Sequence, residues 1–161
     1  MKKHLIFMML VTGWFCSCQK TPKYASYDDY PVYDGSDLEL TYTPEASTFR
    51  VWAPTASEVK LLLYDDGNDD GASRVVNMKR SENGTWKLQI KEDLKGKFYT
   101  FQVKVNDRWL DETPGMWVKA TGVNGKRAAI IDMIETNPAG WEMDVRPPLK
   151  DEADIILYEV H

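Results

Sequence analysis

Short runs of alternating apolar and polar residues, separated by turn-forming residues, constrain the fold of this chain most strongly. They recur roughly every ten residues from Leu38 onward, which is the spacing of strands in small β-sandwiches. The runs occupy residues 38–43, 48–53, 59–64, 74–79, 85–90, 97–105, 108–110 and 128–133. Alternation with a period of two is typical of strands that bury one face. The sequence therefore predicts β-strands along most of its length.

The connections between these runs have the composition of hairpin turns. Asn83-Gly84 separates two of the runs, and Asn-Gly tolerates the positive φ angles of a tight hairpin. The run 59–64 is apolar on both faces, as expected for a central strand of a packed sandwich. After the first eighteen residues, no run of ten or more residues has the 3.6-residue period of a helix. We therefore predict an all-β, immunoglobulin-like sandwich over residues 35–148.

The first seventeen residues have the pattern of a signal peptide. Lys2 and Lys3 precede an apolar stretch over residues 5–15, which is followed by small residues. Such a stretch is too short to span a bilayer, since a transmembrane helix needs about 20 residues. Both cysteines of the chain, Cys16 and Cys18, lie in or next to this leader, so no disulfide framework is predicted for the folded domain.

The leader ends in a motif that resembles a bacterial lipobox, Phe15-Cys16-Ser17-Cys18. The resemblance implies cleavage after residue 17 and lipidation of Cys18, which would become the new N-terminus. Several acyl chains on one residue give stable anchoring. We therefore expect an exported protein that is anchored through Cys18 to a bacterial membrane, the outer one. A signal peptide that is cleaved elsewhere and happens to contain two cysteines is the alternative.

Residues 18–34 are predicted to form a tether. This segment carries four tyrosines at a spacing of three, Tyr24, Tyr27, Tyr30 and Tyr33. Two prolines and an Asp-Asp pair favour an extended segment over a helix. The tyrosine rings could stack on sugars, but packing against the neighbouring domain is the favoured interpretation.

Length and charge exclude several classes of protein. A (β/α)₈ barrel needs about 250 residues, and the chain has 161. The 25 acidic and 20 basic residues give a net charge of -5. Removal of Lys2 and Lys3 with the leader leaves 18 basic residues and a net charge of -7. Since nucleic-acid binding requires a basic surface, no nucleic-acid partner is expected.

Catalytic and metal-binding chemistry is not predicted either. The two histidines are His4, in the leader, and the final residue His161, so zinc sites and Ser-His-Asp hydrolysis are excluded. The acidic loop at residues 65–71 lacks the glutamate that closes an EF-hand, because Val76 occupies its twelfth position. We expect no catalytic residue, metal or cofactor in this chain.

Aromatic side chains are the candidates for ligand binding, because their flat apolar faces match the C–H face of a pyranose. The candidates are Trp109, Trp86, Trp117 and Tyr64. Trp86 alternates with Leu88 and Ile90, which favours a core position. Trp109 follows the turn Asn106-Asp107 and is the best exposed candidate. Trp52 and Trp141 lie in apolar or proline-bounded contexts and are expected to pack.

Several blocks of sequence together resemble the N-terminal β-sandwich of type I pullulanases in glycoside hydrolase family 13. The blocks are Phe49-Arg-Val-Trp-Ala-Pro-Thr-Ala56, Val59-Lys-Leu-Leu-Leu-Tyr64, Gly84-Thr-Trp86, Gly122-Val-Asn-Gly-Lys-Arg127 and Asn137-Pro-Ala-Gly-Trp-Glu-Met-Asp144. The resemblance implies a carbohydrate-binding module of family 48, joined in its relatives to a barrel that hydrolyses α-1,6 branches of pullulan and starch. Modules of this kind often use two tryptophans and a lysine on one face. Trp109 matches one of these tryptophans, and Gln102 occupies the position of the lysine.

The final segment, residues 149–161, resembles the opening of the catalytic barrel in this family. Its apolar run 155–160 predicts a buried strand, the first strand of a barrel that the chain does not contain. The family's catalytic acids lie in that barrel, so the chain is expected to be inactive alone. Its role would be to support a catalytic domain and to contact α-glucan weakly. A stand-alone starch-binding lipoprotein and a purely structural docking module are the alternatives.

Overall fold

Nine strands form the fold, and all its helical segments are short 3₁₀ turns within the residues that the structure describes. The computed structural model describes residues 21–68 and 71–160; the predicted leader and Cys18 lie outside this range. The strands are β1 (Glu39–Thr43), β2 (Ala46–Trp52), β3 (Glu58–Tyr64), β4 (Arg74–Asn77), β5 (Lys79–Arg80), β6 (Thr85–Ile90), β7 (Phe98–Val105), β8 (Arg108–Trp109) and β9 (Ala128–Ala129). The 3₁₀ turns are Tyr27–Asp29, Glu82–Gly84, Val123–Gly125, Met133–Thr136, Trp141–Met143 and Glu152–Asp154.

The strands form two antiparallel sheets, so the predicted β-sandwich is confirmed. One sheet has the order β1-β2-β6-β5. The other has the order β4-β3-β7-β8, and β9 pairs with the first residues of β7. The longest pairing joins β3 to β7 over seven residues, from Glu58 opposite Lys104 to Tyr64 opposite Phe98. No helix among the described residues is long and apolar enough to cross a bilayer.

The core lies between the two sheets and is built around aromatic rings. Phe49 of β2 meets Tyr99 of β7 edge-on at 5.1 Å between ring centroids, and Tyr99 meets Phe101 at 5.4 Å. Edge-to-face pairs of this kind add to the free energy of apolar burial. Trp86 belongs to the same core, as its alternation pattern predicted, and its indole N–H donates to the carbonyl oxygen of Ala53 at 3.0 Å.

The Asn83-Gly84 turn has the predicted positive φ angles, 48° and 73°. At Gly84 the requirement is also steric. A Cβ atom there would lie 2.8 Å from the side chain of Pro54 and 2.9 Å from that of Pro31. Glycine therefore allows the turn to pack against both prolines.

Three predicted strands differ from the structure. The run 74–79 is divided between the two sheets, because β4 pairs with β3 and β5 pairs with β6. The run 128–133 forms a ladder only at Ala128–Ala129, and the side chain of Asp132 caps a 3₁₀ turn that begins at Met133 by accepting a hydrogen bond from the N–H of Ile134. The run 155–160 is exposed and belongs to none of the strands formed by the described residues. Trp141, which was expected to pack, is 56% exposed because it belongs to the segment after β9 and lies outside both sheets.

The segment before β1 packs against the sandwich. Tyr30 contacts Tyr24, Tyr27 and Trp52, with ring centroids 4.9, 5.4 and 6.0 Å apart. The indole N–H of Trp52 donates to the carbonyl oxygen of Pro31 at 3.0 Å. Tyr30 therefore packs on the domain, as the favoured interpretation expects, whereas Tyr27 is 84% exposed.

A buried arginine joins this segment to the first sheet. Arg50 is 4% exposed and donates to Asp37 at 3.0 Å, to Glu82 at 2.6 Å and to Thr85 at 3.0 Å. Its guanidinium also lies 4.9 Å from the ring centroid of Tyr33. A buried charge is costly unless it is paired and hydrogen-bonded. Arg50 therefore holds together three parts of the chain that are distant in sequence.

We predict that, because of this network, the free energy of unfolding decreases as the pH is lowered through the acid range. Hydrogen bonds from Ser81, the backbone and Arg50 lower the pKa of Glu82 from 4.5 to about 2. A carboxylate with a lowered pKa in the folded state stabilises it above pH 4.5, and this contribution is lost as the pH falls towards 2. The urea midpoint of the wild type should therefore decline over this interval, and Glu82→Gln should lower the midpoint at neutral pH and flatten the decline.

Glu45→Gln, in the exposed turn between β1 and β2, is the matched control and should keep the wild-type pH profile. Identical profiles for the wild type and Glu82→Gln would contradict the prediction.

Candidate functional site

The outer face of the β3–β7 pair carries the candidate binding residues. Because side chains alternate between the two faces of a sheet, Lys60, Leu62 and Tyr64 share this face of β3. The register places Gln102 opposite Lys60, and Thr100 opposite Leu62. This face is divided into a closed end around Tyr64 and an open end around Trp109.

Trp109 is brought to the open end by a tight hairpin. Asn106 and Asp107 both have positive φ angles, 50° and 59°, as a type I′ turn requires. The hairpin pairs Trp109 with Lys104 of β7. Trp109 is half-buried, so the turn fixes the position of its indole beside the outer face of the sheet.

Two lysines flank the indole of Trp109. The ammonium of Lys60 lies over the ring, 4.0 Å from its centroid, and that of Lys104 lies 5.9 Å from it. Lys104 also donates to Glu58 at 2.7 Å, and this hydrogen bond raises the pKa of Lys104. Among the described residues Lys60 has no such acidic partner. The indole of Trp109 therefore has a cation–π contact with Lys60, and the Lys60 ammonium can donate hydrogen bonds to a ligand.

Gln102 lies next to this pair. Its side-chain amide donates to the carbonyl oxygen of Leu110 at 3.2 Å, which connects β7 to the residue after Trp109. The structure thus brings together two of the predicted site residues, Trp109 and Gln102. It adds Lys60, which the sequence analysis missed. Its position on the outer face followed from the alternation of β3, but its proximity to Trp109 depends on the β3–β7 register and on the hairpin.

Tyr64 occupies the closed end of the face and is 3% exposed. Its hydroxyl contacts Thr100 at 3.1 Å and donates to Glu112, and the Arg127 guanidinium lies 3.7 Å from its ring centroid. Burial, followed by the hydrogen bond to Glu112, raises the pKa of Tyr64. The ring is covered by its own neighbours, so Tyr64 holds the 112–127 segment against the sheet instead of offering a stacking face.

A cleft of about 440 Å³ adjoins this closed end. It is lined by Asn68, Thr100, Glu112, Pro114, Gly125, Lys126 and Arg127. Thr100 donates to Glu112 at 2.8 Å, so part of the polar lining is already paired within the protein.

Trp86 lies apart from these residues. It is 6% exposed and belongs to the other sheet, where Arg80 covers its ring at 4.5 Å. The fourth aromatic candidate, Trp117, is 64% exposed and lines a separate groove. Among residues 21–68 and 71–160, no group of three or more histidine, cysteine, aspartate or glutamate side chains is arranged to hold a metal ion.

Comparisons with known proteins agree with this fold. Residues 37–132 match the model of carbohydrate-binding module 48, the isoamylase N-terminal domain. The chain belongs to this family. The matched range begins just before β1 and ends just after β9, so the family-48 module and the two-sheet sandwich coincide.

Pullulanases are prominent among the relatives. The pullulanase of Bacillus subtilis (strain 168) is 30% identical over 137 residues, which are 85% of this chain and 18% of that protein. The crystal structure of the Paenibacillus barengoltzii pullulanase has a TM-score of 0.78 and 46% identity, covering 86% of this chain and 21% of that one. The pullulanase from Bacillus acidopullulyticus has a TM-score of 0.68 and 40% identity, covering 73% and 14%. The chain thus spans about a fifth or less of the length of these relatives.

Proposed function

We propose that this family-48 module binds α-glucan through the open end of the β3–β7 face, as a non-catalytic part of a pullulanase-type debranching enzyme. The observation that carries the proposal is the arrangement of an indole, an ammonium and an amide on one outer face, at Trp109, Lys60 and Gln102. In the parent enzyme, hydrolysis of α-1,6 bonds in pullulan or starch would be the task of a separate catalytic domain.

The chemistry of the open end suits a pyranose. The C–H face of a glucose unit can stack on the Trp109 indole once the Lys60 ammonium, which lies over the ring at 4.0 Å from its centroid, moves to the edge of the sugar and donates hydrogen bonds to its hydroxyl groups. Lys60 is the better donor, because the Lys104 ammonium already donates to Glu58 at 2.7 Å. Hydrogen bonds from a charged donor are worth about 1.5–3 kcal/mol, so Lys60 adds affinity as well as orientation.

Solved relatives support the choice of ligand. The Paenibacillus barengoltzii pullulanase has been crystallised with maltohexaose and α-cyclodextrin, and an Anoxybacillus pullulanase with maltotetraose. The shared fold and the position of Trp109 extend this ligand class to the present chain. Glucans with α-1,4-linked chains, such as maltohexaose and amylopectin, are therefore the probes of choice.

Substitutions at the open end should weaken glucan binding without unfolding the domain. In affinity electrophoresis through amylopectin, the wild type should be retarded, and Trp109→Ala should bind at least about tenfold more weakly, which corresponds to ~1.4 kcal/mol. Lys60→Met keeps the aliphatic stem and removes the charge, and it should also reduce the retardation.

Trp141→Ala is the matched control, because it removes an exposed tryptophan from the segment after the sandwich. It should migrate like the wild type. Equal retardation of Trp109→Ala and the wild type would refute the open end as the glucan site.

We also propose that the chain is exported and anchored through a lipid on Cys18, in a bacterial outer membrane. The support is the sequence pattern of a basic start, an apolar stretch and the motif Phe15-Cys16-Ser17-Cys18. A tether between Cys18 and the packed tyrosine segment would then hold the module near the membrane surface.

Metabolic labelling with a radioactive fatty acid tests the anchor. The wild type should incorporate the label and partition with membranes, whereas Cys18→Ala should remain unlabelled. Cys16→Ala is the control and should still be labelled. An unlabelled wild-type protein would overturn the proposal.

A further inference from the structure

A groove lined by residues other than those of the Trp109 site has features that this site does not explain. It runs along β1, which is an edge strand, and the segment 129–134 forms its other wall. Its volume is about 700 Å³, within the usual range for small-molecule sites. We call it the Glu39 groove, after the residue that begins β1.

Glu39 is unusual in two independent respects. It adopts a φ angle of 71°, a conformation that costs free energy in a residue other than glycine and that clusters at functional sites. Its side chain is also buried, and Oε2 has no hydrogen-bond partner among the described residues. A buried carboxylate oxygen without a partner is destabilising, so the fold retains two unfavourable features at the same residue.

The hydrogen bonds of the Glu39 carboxylate connect β1 to the backbone of residues 116 and 117. Oε1 of Glu39 accepts a hydrogen bond from the N–H of Met116 at 3.1 Å, and the carboxylate also accepts one from the N–H of Trp117. Gly115 allows this approach, since a Cβ atom there would lie 1.9 Å from Oε2. Glu39 thereby holds the backbone of Trp117, whose indole lines the groove and is 64% exposed.

We propose that the Glu39 groove is a second binding site for a gluco-oligosaccharide, with Trp117 as its stacking platform. A pyranose fits both the apolar and the polar part of this lining. Its C–H face matches the Trp117 indole and the apolar wall that includes Leu40 and Met133, and its hydroxyl groups can pair with Lys119 and Asp132, which also line the groove. Glu39 then acts as a positioning residue, because its carboxylate holds the backbone that carries Trp117.

The groove is separate from the Trp109 site. Tyr99 lines the groove, while Trp109 pairs with Lys104, five residues further along β7. At the rise of a strand this separation is about 17 Å. Tyr99 also faces the core, whereas Trp109 lies beside the outer face of the sheet. One glucan chain or two separate chains could therefore contact the module at two places.

Fluorine NMR on the full chain labelled with fluorotryptophan tests the proposal, and the choice of maltohexaose as the probe rests on the proposed function. The resonances of Trp109 and Trp117 should both shift during the titration. In Trp109→Ala the Trp117 resonance should still shift, and in Trp117→Ala the Trp109 titration should be unchanged. Ile134→Arg, at the mouth of the groove, should weaken the Trp117 response about tenfold, whereas Ile156→Arg, on an exposed segment outside it, should have no effect.

The outcomes separate the two sites. A shift at Trp109 with none at Trp117 would overturn the groove and leave the proposed function standing. A shift at Trp117 that disappears in Trp109→Ala would also overturn it, because the response would then be transmitted from the first site. A shift at Trp117 alone would support the groove and contradict the proposed function.

Discussion

The pairing of β3 with β7 is the constraint on which the rest of the structure depends. Seven residues of each strand pair in one register, and this register decides which side chains face the core. Leu61 and Phe101 point inward together, while Lys60 and Gln102 point outward. Since a shift of one residue would exchange the two faces, the same register that buries the aromatic core also places an ammonium beside Trp109.

The two ends of the outer β3–β7 face have different roles. At one end the buried Tyr64 and Arg127 form a polar cluster with the exposed Glu112, which attaches the 112–127 segment to the sheet. At the other end the Asn106-Asp107 turn leaves Trp109 half-buried next to Lys60. Firm attachment at the closed end supports a fixed position for the indole at the open end, which favours binding because less conformational freedom is lost.

Local patterns predicted the sandwich, the Asn83-Gly84 hairpin and the core position of Trp86, because alternation and turn composition are properties of neighbouring residues. They failed where tertiary contacts decide. The run 128–133 was predicted as one strand, but only Ala128 and Ala129 pair with β7. Tyr64 was a stacking candidate, but partners distant in sequence cover its ring. Lys60 and the strained Glu39 were missed, since strand register and backbone conformation have no local signature there.

The open end of the β3–β7 face as a glucan site is the central claim, and a crystal structure of the chain with saturating maltohexaose tests it most directly. We expect a pyranose ring stacked parallel to the Trp109 indole, with one of its hydroxyl groups within hydrogen-bond distance of the Lys60 ammonium. Well-defined sugar bound elsewhere on the module, with the Trp109 indole accessible in the crystal and unoccupied, would contradict the account.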